Sequence, residues 1–196
     1  ATFLLEGDAA YHPGFPFEYA LRACYTLRDN ALRADLIISN MDDRAFYFSA
    51  GAHEAYDCPG DMTDYFVEFD EDETLRNRVV GENGLIAEAT EPVPMQGRVL
   101  PITPELFAHG TLVLDTVRSR GVTLGCYKNN RRVRVDFPGF DYLLIWKQKG
   151  ASFLCIEPWH NLPDAVDTDG DIAKKPGMIR IAPGGSVTLT HTLTFL

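Results

Sequence analysis

Two places in the chain set ionisable side chains at the point where an apolar strand gives way to a loop. In Ser49-Ala50-Gly51-Ala52-His53-Glu54-Ala55-Tyr56-Asp57-Cys58-Pro59 a strand stops at Gly51 and His53 enters the loop, with an aromatic residue following. In Phe153-Leu154-Cys155-Ile156-Glu157-Pro158-Trp159-His160-Asn161 an apolar strand ends on the Glu157 carboxylate, with Trp159 beside it. Histidine is the usual proton donor near neutral pH, and a carboxylate is a ready proton acceptor. An aromatic face next to the two is a surface on which a sugar ring stacks. Spacing alone leaves a plainer reading of each: His53 as a turn histidine held by a backbone carbonyl, Glu157 as a rim carboxylate reaching solvent past Pro158.

Other chemistries lack their signatures. The sequence has no Gly-rich phosphate loop between a strand and a helix, no Gly-x-Ser-x-Gly elbow and no His pair at zinc spacing. Cys24, Cys58, Cys126 and Cys155 stand far apart without a Cys-x-x-Cys pair, so they read as reduced thiols of a cytoplasmic protein, with no metal expected. Asp167-Thr168-Asp169-Gly170-Asp171 has the acidic alternation of a calcium loop, but its Gly comes one place early and no Glu closes it at the twelfth position. It reads as a solvated loop. The acidic run from Glu68 to Glu73 reads the same way, and the basic patch of Lys128, Arg131, Arg132 and Arg134 as surface solubility.

The 28 Asp+Glu against 18 Lys+Arg give a formal charge of -10, which repels nucleic-acid backbones and anionic membrane surfaces. No apolar run approaches the roughly 20 residues of a spanning helix. With 196 residues the chain suits one domain, 1–196, with enough core to fold without a structural metal. A monomer or a homodimer fits this composition.

The elements that must position these residues are strands. Short runs rich in β-branched and aromatic residues, bounded by Gly, Pro, Asn or Asp, cover 18–28, 31–40, 45–50, 65–69, 75–80, 111–115, 121–128, 131–137, 142–146, 153–157, 179–182 and 186–195. Asp29-Asn30, Asn129-Asn130 and Pro183-Gly184-Gly185 predict hairpins between neighbouring runs. The stretches 57–64, 93–109 and 160–176 read as loops. His12 and His191 read as structural, the latter on the polar outward face of the last strand. Alternation of apolar and polar residues predicts an all-β, antiparallel sandwich.

The motifs Gly51-x-His53-x-x-Tyr56-x-Cys58-Pro59, Leu154-Cys155-Ile156-Glu157-Pro158-Trp159, Lys175-Pro176-Gly177 and Ala182-Pro183-Gly184-Gly185 occur in the order of the aldose 1-epimerase (galactose mutarotase) family. Phe15-Pro16-Phe17 with Tyr25, Leu100-Pro101 before Glu105-Leu106-Phe107, and Tyr142-Leu143-Leu144-Ile145-Trp146 extend the likeness over nearly the whole chain. The sequence most resembles the branch of that family associated with lactose operons. The resemblance implies a galactose-mutarotase-type β-sandwich that interconverts the α and β anomers of a free aldohexose without a cofactor. By motif position Glu157 would be the base and His53 the acid, with Trp159, Tyr56 and His109 binding the sugar.

Departures from the family pattern accompany the likeness. Glu54 and Tyr56 stand where the family usually has Pro and Phe, which predicts a more polar site. His109 falls near the place of an Asp that binds sugar hydroxyls. Strands that supply an Arg and a second His before the Phe-Pro-Phe segment have no match, so the chain reads as the C-terminal major part of a longer family chain. Two alternatives stay open: a non-catalytic carbohydrate-binding or structural sandwich, and a hexose-6-phosphate epimerase.

Overall fold

The computed structural model describes residues 1–7, 10, 13–81 and 83–196; His12 lies outside them. Two antiparallel sheets face each other across one apolar core. The larger follows the order β1 (Thr2–Gly7), β2 (Tyr19–Arg28), β3 (Ala31–Asn40), β16 (Ser186–Phe195), β12 (Arg132–Asp136), β11 (Gly121–Cys126), β6 (Tyr65–Phe69) and β9 (Val99–Pro101). The smaller runs β5 (Glu54–Asp57), β14 (Phe153–Trp159), β13 (Tyr142–Trp146), β10 (Leu112–Leu114), β7 (Arg76–Val80) and β8 (Ile86–Pro92). A two-stranded ribbon pairs β4 (Phe46–Phe48) with β15 (Ile179–Ile181).

Alternate residues of each strand supply the core, as the pleat requires. From the small sheet Leu143, Ile145, Leu154 and Ile156 are fully buried, and they meet Val67, Val122, Val135 and Leu193 from the large one. This is the sandwich that the alternation predicts. The β2–β3 hairpin turns at Asp29-Asn30, where Asp29 adopts φ 53°, the left-handed conformation that two-residue hairpin turns demand. β11 and β12 also form a hairpin, but through a longer loop, residues 127–131, than the two-residue Asn129-Asn130 turn expected.

Other expectations are corrected. The Pro183-Gly184-Gly185 turn does not join two paired strands: β15 pairs with β4, and β16 is occupied on both sides by β3 and β12. The stretch 93–109 contains β9, and β1, β5 and β8 were not foreseen. Glu73 is no solvated residue; it is 6% exposed and accepts hydrogen bonds from the Ser119 backbone and hydroxyl, both at 2.8 Å. Part of the basic patch is paired with carboxylates, Arg134 with Asp70 and with Asp136 of its own strand, and Lys128 with Asp64.

The largest correction is His191. It faces inward between Leu189 and Leu193, 4% exposed, because those positions share its side of the pleat. Its Nε2 lies 2.8 Å from Glu54 Oε1, so the pair ties the central strand of one sheet to the edge strand of the other. Burial raises the Glu54 pKa, but the hydrogen bond and charge of His191 outweigh it and leave the carboxyl below its ordinary value. His191→Leu keeps the volume and removes the donor. It is expected to lower stability by about 1–3 kcal/mol, read as a lower urea midpoint at unchanged slope.

Candidate active site

Strand β14 carries two sets of side chains. Leu154, Ile156 and Pro158 share the core side, while Phe153, Cys155, Glu157 and Trp159 share the outer side. Register with β13 sets Trp146 opposite Cys155, Leu144 opposite Glu157 and Tyr142 opposite Trp159. Directly opposed residues point the same way, so a small outer cluster forms around the carboxylate. Leu144, Val113 and Ile86 are its buried members, with Tyr142, Trp159 and Leu162 packed against them.

His53 is brought to this face by stitching. Gly51 bridges to Trp159, Ala52 N–H donates to the Pro158 carbonyl at 3.0 Å, and His160 N–H donates to the Ala50 carbonyl at 3.1 Å. The Trp159 indole N–H donates to the Ala52 carbonyl at 3.1 Å, which fixes the ring as well as the loop. His53 Nδ1 then lies 3.4 Å from Glu157 Oε1, and the imidazole stands edge-on to Trp146 with ring centroids 5.9 Å apart. His53 is exposed and Glu157 is not, its side chain being 2% accessible.

Glu157 Oε1 is buried without a hydrogen-bond partner among the described residues. Burial pushes this carboxyl up to about 7; the imidazole of His53 opposes the rise and the charge of Glu54 adds to it. A carboxyl poised there exchanges a proton readily at neutral pH. Burial also pushes the neighbouring Cys155 thiol up to about 11, reinforced by the Glu157 and Glu54 charges. A cavity of about 370 Å³ opens beside the pair, lined by residues 49–53, Trp159 and residues 161–163.

The structure thus brings together His53, Glu157 and Trp159, and separates the other two expected residues from them. Tyr56 is 8% exposed, pairs with Leu154 and belongs to the core. Alternation along β5 forces this: Glu54 and Tyr56 point inward, and Ala55 faces outward beside Cys155. Both substitutions relative to the family pattern therefore fall inside the sandwich, and the more polar site expected from them does not arise. His109 follows a 3-10 turn, Pro104–Phe107, and lines a different cavity with Asn77, Glu91 and Glu105. That cavity shares no lining residue with the one at His53.

Trp146 and Cys155 were missed as neighbours of the carboxylate. Their signal was present in the two-residue steps from Cys155 to Glu157 and from Leu144 to Trp146, but it needed the β13–β14 register to be used.

Both the sequence and the sandwich fold match known proteins. The aldose 1-epimerase family model matches residues 1–177, and the chain belongs to that family. It is 28% identical over 203 residues to the chromosomal protein LacX of Lactococcus lactis subsp. lactis, covering 100% of this chain and 68% of that one. A galactose mutarotase-like protein from Lactobacillus casei superposes with a TM-score of 0.90 at 26% identity, covering 100% of this chain and 69% of that chain. A galactose mutarotase related enzyme from Lactobacillus acidophilus gives 0.86 at 24% identity, with coverage of 100% and 67%.

Close packing at Gly51 provides a probe of the stitching. A Cβ there would lie 2.6 Å from Trp159 Cδ1 and 2.9 Å from the Pro158 carbonyl oxygen. Gly51→Ala is expected to push the indole and loop apart and lower kcat/KM for the substrate by about 10- to 100-fold, because displacements of this size at a site are costly. Steady-state kinetics beside a thermal melt separates this from unfolding.

Proposed function

We propose that this chain is a cofactor-independent aldose 1-epimerase, interconverting the α and β anomers of a free aldohexose. The observation that carries the reading is the buried Glu157 oxygen, which has no hydrogen-bond partner among the described residues and lies 3.4 Å from the His53 imidazole. Such a carboxylate is costly to hold unless a ligand completes its hydrogen bonding. A sugar hydroxyl supplies the missing donor.

In this mechanism Glu157 takes the proton of the anomeric hydroxyl while His53 protonates the ring oxygen. The bond from C1 to the ring oxygen breaks, the open-chain aldehyde turns about C1–C2, and the ring oxygen attacks the other face of the carbonyl. Proton transfers then reverse, and the two residues regain their starting states. His53 presents Nδ1 to Glu157, which leaves Nε2 for the ring oxygen. Trp159 stacks on the pyranose. Roles for His53 and Trp159 follow from position, since both line the cavity beside the carboxylate.

A neutral sugar fits this cavity better than a sugar phosphate. Its described lining residues include neither Lys nor Arg. In the adjoining cavity Lys175 is engaged by Asp164 at 2.7 Å.

Polarimetry with freshly dissolved α-glucose or α-galactose tests the reading directly. The chain is expected to accelerate equilibration over buffer, and Glu157→Gln to lose about 10²- to 10⁴-fold, the usual contribution of one acid/base group. No acceleration with either sugar, in a chain that still binds sugar, would favour a non-catalytic binding module. Trp159→Ala is expected to raise KM more than it lowers kcat. The base works only when ionised, so kcat/KM should fall as pH drops below about 7 in chelator-treated buffer, following the raised Glu157 value. A profile unchanged across that range would remove Glu157 as the base.

A further inference from the structure

We propose that His53, Cys155 and Glu157 form a site for a thiophilic divalent cation, best matched by Zn²⁺, and that cation and sugar exclude one another there. The exclusion rests on the sugar reading above; the cation site does not. Three donor atoms, one each from imidazole, thiol and carboxylate, lie within 4.8 Å of one another. These are the donor types that zinc accepts, and three protein ligands leave one position open. No sequence spacing announces the set, because His53 comes from the stitched loop and the other two from alternate positions of β14.

Geometry favours an ion. Metal–ligand bonds of about 2.0–2.3 Å in a tetrahedron place neighbouring donors about 3.3–3.7 Å apart. His53 Nδ1 and Glu157 Oε1 stand 3.4 Å apart, already at that spacing. Cys155 Sγ needs to approach by no more than about 1 Å to complete it. The second, independent observation is Glu157 itself: its side chain is 2% accessible, and the oxygen facing His53 has no hydrogen-bond partner among the described residues. A cation satisfies that oxygen directly. With one oxygen donor in three, the set is wrong for Mg²⁺ or Ca²⁺, which bind through oxygen.

Binding needs no redox partner. The Cys155 thiol gives its proton to solvent as the sulfur forms its bond to the metal, and the carboxylate and neutral imidazole each donate a lone pair. His53 and Trp159 both line the neighbouring cavity, so an ion held by His53 Nδ1 and Glu157 takes up the carboxylate oxygen that would otherwise accept the sugar's proton and fixes the imidazole that would donate to it.

The test titrates CdCl₂ and ZnCl₂ into the chelator-treated 196-residue chain, reading the ultraviolet thiolate-to-cadmium charge-transfer band and the heat of zinc binding. One equivalent is expected to bind with a thiolate band. Cys155→Ala, Cys155→Ser and Glu157→Gln, each checked for folding by circular dichroism, should weaken binding more than about 100-fold, beyond the loss of an outer contact. Cys24→Ser should leave the band intact. Absence of the band, or its survival in Cys155→Ala, overturns the cation site. Added galactose or glucose should raise the apparent zinc Kd linearly with sugar concentration. Zinc binding that sugar does not affect would uphold the cation site and overturn the exclusion. Because metal binding is read without turnover, failure of the sugar reading leaves this result standing.

Discussion

An ionisable carboxyl buried without its hydrogen bonds costs several kcal/mol in an apolar setting, and Glu157 is held in that condition by the strand that carries it. The alternation of β14 sends Leu154 and Ile156 into the core, so Cys155, Glu157 and Trp159 have no choice but the outer face. Core burial of the first set thereby secures the second. Everything else at the site answers to this carboxylate: the loop 50–53 is hydrogen-bonded onto Pro158–Trp159, the imidazole lies against it, and Leu144 closes one flank.

A second carboxylate balances the arrangement from behind. Glu54 stands opposite Ile156, one residue from Glu157 in register but on the inner face. Its negative charge raises the Glu157 pKa through the sheet, and His191 keeps Glu54 itself ionised. The two acids face different surroundings and are pushed in opposite directions, Glu157 up and Glu54 down. An ion pair between the sheets and a protonatable group outside them are parts of one electrostatic system.

Features that depend on local chemistry were legible in the sequence. The Asp29-Asn30 turn and the alternation of β12 and β16 follow from neighbouring residues, whereas Glu157, expected where its strand ends, lies inside β14, which runs on to Trp159. Features set by register or by contact between sheets were not. Tyr56 reads as a site residue because it lies three places from His53, yet β5 begins in between and turns it inward. His191 reads as outward because flanking threonines suit solvent, and only the facing Glu54 reveals why it points in. Cys155 sits two residues from Glu157 in a run that looks uniformly apolar. β9 is three residues long and owes its existence to β6, which no local pattern discloses.

Strand β16 occupies the middle of the large sheet, although it is synthesised after every other strand described here. It pairs with β3 about 150 positions earlier and with β12 on its other side. Until it emerges from the ribosome, β1–β2–β3 and β12–β11–β6–β9 are separate meanders with a gap between them, and Glu54 has no His191 to meet. Such long-range closure makes folding slow and leaves strand edges open in the nascent chain. The order of synthesis thus runs against the order of the sheet, and for as long as that gap remains the facing edges of β3 and β12 lack their native partner.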